Sequence, residues 1–99
     1  MTKEFKQAIT WRPTIGLRVV EEMTGINGYE CEFMQGQAND SYICLGITDD
    51  VIEDLRGDLE YTSDAYNRRR IENDIRVRNF LRTQFDDFSI EEVLLWVSW

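Results

Sequence analysis

The apolar residues of this chain repeat with two different periods, and the change of period constrains its fold more than any other feature. Over 15–24, Ile15, Val19, Val20 and Met23 recur at helical spacing, which puts them on one stripe of a short helix. Thr14 stands at its N-cap position, and Gly25 stands where a helix ends in the left-handed conformation. Over 29–47 the period falls to two. Tyr29, Cys31 and Phe33 alternate with Glu30 and Glu32, the pattern of a half-buried strand. Gly36-Gln37-Ala38-Asn39 reads as a four-residue loop and Tyr42-Ile43-Cys44-Leu45 as the returning strand. That hairpin sets Phe33 opposite Tyr42 and Cys31 opposite Cys44. A hairpin alone is marginal, so it is expected to lie against helices or further strands.

The helical period returns after Thr48, a cap for a helix over 49–59. Ile47 and Ile52 flank the cap in the hydrophobic-staple arrangement, and Val51, Ile52, Leu55 and Leu59 form its apolar stripe. Ser63 is expected to open the longest helix, 64–84, with a turn at Phe85–Phe88. Ser89-Ile90-Glu91-Glu92 has the form of a capping box, so 90–99 is expected to be helical too, although its Val and Trp content suits a strand equally. Residues 1–12 fit neither period, and Trp11-Arg12-Pro13 interrupts whatever precedes it. The fold class expected is α+β: a β-hairpin or small antiparallel sheet packed against three to four helices, in a single domain.

The rest of the composition narrows the function. Ninety-nine residues that are 42% hydrophobic and rich in aromatics suffice for one core. No stretch has the length of apolar sequence that a membrane span needs. The first residues lack the apolar core of a signal peptide, so the expected location is the cytoplasm, with Cys31 and Cys44 as free thiols. There is no histidine, which removes the commonest general base and metal ligand and every Ser-His or Cys-His pairing. Glycines at 16, 25, 28, 36, 46 and 57 match neither a phosphate-binding loop nor a dinucleotide turn. Asp49, Asp50, Glu53, Asp54 and Asp58 do not follow calcium-loop spacing. The expectation is a binding protein and not an enzyme, with no metal or cofactor.

Charge suggests what it binds. The net charge is −8, yet segment 67–82 holds six arginines against Glu72 and Asp74, or +4; the remaining residues carry five positive and seventeen negative charges, or −12. On a helix the arginines scatter around the axis, Arg70, Arg78 and Arg82 beside the apolar positions and Arg69 and Arg76 pointing away, so several are expected to pair with the chain's own acids or with a second subunit's. Asp49, Asp50, Glu53, Asp54 and Asp58, extended by Glu60, make an anionic run. Carboxylates spaced along a helix present charge as a phosphate backbone does. The leading expectation is therefore an interaction module, an inhibitor or regulator that offers this face to a nucleic-acid-handling protein. The alternative is a homo-oligomer whose contacts use Arg68, Arg69 and Arg76 with Trp96 and Trp99. Direct nucleic-acid binding by the arginine helix ranks behind both.

Overall fold

The computed structural model describes residues 12–86 and 89–98. Within them, β1 (Thr14–Gly16) leads into α1 (Leu17–Thr24), two single 3-10 turns follow (Gly28–Glu30 and Glu32–Met34), and then β2 (Ser41–Gly46), α2 (Asp49–Tyr61), α3 (Ala65–Gln84) and β3 (Glu92–Val97). The three strands make one sheet in the order β1-β3-β2. β1 runs parallel to β3 and β2 antiparallel to it. A small mixed sheet with three helices is an α+β fold, as expected, but its sheet is not the expected hairpin.

The two helices after Thr48 form close to where local sequence places them. α2 starts at Asp49 with Thr48 in the N-cap position, although the Thr48 side chain makes no capping bond. The N-cap of α3 is Asp64 and not Ser63: its carboxylate accepts from Asn67 N at 2.9 Å. Gly25 ends α1 with φ +73°, where its N–H reaches Glu21 O. That left-handed position suits a residue without Cβ. α1 itself is shorter than expected because Thr14–Gly16 is drawn into the sheet. Starting the helix at Leu17 turns Leu17 and Val20 into the core and leaves Val19 and Met23 exposed.

Residues 28–34 are where local pattern and structure part. Gly28, Cys31 and Met34 are buried, a period of three, which is the eclipsed spacing of 3-10 turns and not the alternation of a strand. Gly28 N donates to Glu21 of α1, the N–H groups of Cys31 and Met34 bond within the segment, and side chains of α3 reach other backbone groups of 29–33, described below. β2 pairs instead with β3, so Tyr42 lies opposite Trp96 and Cys44 opposite Leu94. The expected pairs Phe33–Tyr42 and Cys31–Cys44 do not exist; Cys31 is buried, Cys44 is exposed, and both are free thiols.

The second correction is at the C-terminal segment, which is the central strand and not a helix. Val93, Leu95 and Val97 are fully buried while Leu94 is half-buried and Trp96 exposed, a period of two. A central strand has both backbone edges hydrogen-bonded, and β-branched residues suit its pleat. Three fully buried aliphatic side chains, each worth about 1.5–3 kcal/mol, outweigh a capping box worth about 1 kcal/mol. Trp99 and residues 1–11 lie outside the described residues.

One face of the sheet carries the main core, where Leu45, Val93, Leu95 and Val97 meet Leu17 and Val20 of α1 and Val77 and Leu81 of α3. A smaller cluster joins Ile52, Leu55 and Leu59 of α2 to Ile71 and Ile75 of α3. α3 thus contributes to both, and α2 is left with a full outer face in water.

Candidate interaction surface

The inward stripe of α2, Ile52, Leu55 and Leu59, fixes which residues point away. Asp50, Asp54 and Asp58 recur at i, i+4 and i+8, one row along the opposite side, with steps of about 6 Å of helix rise. Asp49, Glu53 and Glu60 flank this row, and all six are exposed. Asp49 Oδ1 takes Arg82 Nη1 at 2.6 Å, and Glu53 Oε1 takes Arg56 Nη1 at 3.2 Å. Asp50, Asp54, Asp58 and Glu60 form no ion pair among the described residues. Asp49 and Asp50 sit in the first turn, where the helix dipole favours them, but Asp58 and Glu60 lie toward the C-terminus, where it does not.

The arginines of α3 are spent inside the molecule. Arg68 Nη1 donates to Leu59 O at 2.6 Å and to Thr62 O at 2.9 Å, closing the open carbonyls at the end of α2. Arg70 is buried and gathers the 3-10 segment: Nη1 donates to Tyr29 O and Nη2 to Cys31 O, both at 2.8 Å, and Nε lies 3.3 Å from Glu32 Oε2. Its guanidinium also stands 5.7 Å from the centre of the Tyr66 ring, within cation–π range. Arg69 meets Glu30 at 3.4 Å on the surface. Arg78 pairs with Asp74 and donates from Nη1 to Gly46 O at 2.9 Å. Arg76 alone among the six is exposed without a partner in the described residues.

Two buried polar residues escaped the sequence reading. Asn73 Nδ2 donates to Glu30 O at 3.0 Å, and Asp74 Oδ2 accepts from Phe33 N at 2.9 Å. Burial pushes the Asp74 carboxyl above its ordinary value, against the pull of Arg78 and of the Phe33 N–H. A sequence signal for them exists. α3 lacks a clean apolar stripe, and a helix that polar must have partners for its inward groups. Burial likewise pushes the Cys31 thiol up to about 12, with Asp74 adding to the effect, so Cys31 is an inert core residue.

Of the residues expected at an interface, the acids Asp49, Asp50, Glu53, Asp54 and Asp58 therefore share one exposed helix face. Arg68 is half-buried and caps α2, while Arg69 and Arg76 are both exposed on one side of α3, Arg69 beside Glu30. Trp96 is exposed on the sheet face turned away from the core. Among the described residues, no three His, Cys, Asp or Glu side chains are placed to hold a metal ion, and no helix is long and apolar enough to cross a membrane. No family model matches the chain, and neither a curated protein nor a solved structure resembles it.

Proposed function

We propose that this protein is an interaction module whose α2 face binds a cationic surface of a larger protein, of the kind that otherwise receives a nucleic-acid backbone. One observation carries the reading. After the fold has engaged five of the six arginines of α3 with its own carboxylates and carbonyls, the row Asp50, Asp54 and Asp58 with Glu60 remains without a counter-charge among the described residues. An anionic row on a rigid helix, backed by Ile52, Leu55 and Leu59, is preorganised for a basic groove. Complementary potential would speed encounter and exclude partners of like charge. The mechanism is occlusion: the occupied groove no longer receives its ligand. Direct nucleic-acid binding is the weaker reading, since five of the six arginines have partners within the chain and only Arg76 is exposed without one among the described residues.

The test is affinity capture by the tagged protein from a lysate of its source cells, with nuclease treatment, comparing the wild type with Asp50→Lys/Glu53→Lys. The expected result is a stoichiometric protein partner that survives nuclease, weakens with salt and is lost in the double variant while its far-UV circular dichroism is unchanged. Capture that survives the charge reversal, or that disappears with nuclease, overturns the reading.

A further inference from the structure

β2 is an edge strand, and the register shows which of its backbone groups face outward. Ile47 N donates to Glu91 O at 2.9 Å, one step beyond the last strand pair Gly46–Glu92. The odd-numbered residues of β2 therefore turn their peptide groups toward β3, and Tyr42, Cys44 and Gly46 turn theirs outward. Gly46 O is already held by Arg78 Nη1, and at the other end Asp40 N bonds inward to Val97 O at 2.8 Å. Tyr42 and Cys44 keep an N–H and a C=O each with no partner among the described residues.

Natural sheets protect such an edge with Lys, Pro, bulges or brevity. β1, at the far edge, is only three residues long. β2 is six residues long and contains neither Lys nor Pro. The open face of the sheet beside it carries apolar side chains, next to the Arg12–Glu92 ion pair at one end. Tyr42 is 60% and Trp96 43% exposed, and the two lie directly opposite each other, with Cys44 opposite Leu94 on the same face.

We propose that β2 pairs with β2 of a second copy of this chain, antiparallel, with Tyr42 of each opposite Cys44 of the other, joining two sheets into one of six strands. The free groups fix this register. A two-fold axis at Ile43 uses the N–H and C=O of Tyr42 and Cys44 on both copies in four hydrogen bonds and leaves none over. The contact ends there, because Asp40 is left-handed at φ +61° and Gly46 O is held by Arg78. Tyr42 and Cys44 flank Ile43 symmetrically, so the edge is its own complement, and a second copy is the occupant that uses every free group. Pairing further places Tyr42 and Trp96 of one copy beside Cys44 and Leu94 of the other, one continuous apolar row. The inference stands apart from the role of α2, which lies outside this edge.

The test is sedimentation velocity of the full chain under reducing conditions, from about 1 µM to about 1 mM, the range in which a small interface associates. The mass is expected to rise from 11.8 kDa toward twice that value. Cys44→Pro removes one outward N–H and no bond within the sheet, so it is expected to fold and remain at the monomer mass. Amide exchange of the wild type supplies a measurement independent of any variant: Tyr42 and Cys44 should be protected at high concentration and exchange fast on dilution. A wild type that stays monomeric at all concentrations overturns the inference, as does dimerisation unchanged in a folded Cys44→Pro. Slow exchange of both amides in a monomer would overturn it as well, because something other than a second copy would then cover the edge.

Discussion

At the scale of single residues, Asp74 ties the molecule together and does so at an electrostatic cost. It is 1% exposed, binds Phe33 N on one side and Arg78 on the other, and so joins the 3-10 segment, α3 and the β2 edge. Its carboxyl is held above its ordinary 3.8 chiefly by burial. Above 3.8 the folded state therefore keeps this proton after the unfolded state has lost it. Stability from this group is greatest below 3.8 and declines as pH rises through the window up to the raised value. Urea unfolding across pH 3–7, an interval chosen to bracket that window, should show this decline in the wild type. In Asp74→Asn the decline should be absent, on top of an overall loss of about 3–5 kcal/mol from leaving Arg78 unpaired. Parallel pH profiles for the two proteins would contradict the assignment.

At the scale of elements, β3 carries more of the fold than its position at the end of the chain suggests. It is hydrogen-bonded on both sides, and its odd-numbered residues enter the main core. Leu95→Ala should cost about 2–5 kcal/mol, the usual range for a buried leucine. Trp96→Ala, although it removes a larger side chain, should cost well under half as much at monomeric concentrations, because its ring lies on the uncovered face. Equal losses would argue against a strand with alternating faces. α2 shows the reverse: one apolar stripe anchors it, Arg68 closes its end, and its outer acids Asp50, Asp54, Asp58 and Glu60 form no ion pair among the described residues.

For the whole molecule, the two hydrophobic clusters matter less as separate cores than through the helix they share. Val77 and Leu81 of α3 sit in one and Ile71 and Ile75 in the other. Opening either therefore loosens the other, and the acidic face stays rigid only while the sheet core is intact. Unfolding in urea followed by far-UV circular dichroism and by tryptophan fluorescence should give coincident transitions. Ile71→Ala in the smaller cluster should shift both curves together. A separate early transition for α2 would show instead that the acidic helix opens by itself.

What the sequence determined by itself was everything whose cause is local. α2 followed from apolar spacing, first-turn acids and its cap position, α3 in its extent though not in its cap, and the left-handed end of α1 from Gly25; the acids Asp49, Asp50, Glu53, Asp54 and Asp58 fell on the solvent face of their helix. That several arginines pair with acids was legible too, since a scattered set of arginines in an acidic chain has partners nearby; that the pairs lie within the chain, at Arg70, Arg78 and Arg82, came from the structure. Tertiary structure decided the rest. Tyr29–Phe33 and Tyr42–Leu45 alternate or run apolar as neighbouring strands would, but the strand that β2 pairs with lies some fifty residues further along. The sequence near β2 contains no trace of that choice, because strand pairing is a contact and not a propensity. The same holds for 28–34, where Tyr29 O, Glu30 O, Cys31 O and Phe33 N find partners in Arg70, Asn73 and Asp74 of α3. Local preference there amounts to about 1 kcal/mol, while burial of β3 and satisfaction of buried polar groups amount to several. Burial and hydrogen bonding between distant segments therefore set the fold wherever local preference pointed elsewhere.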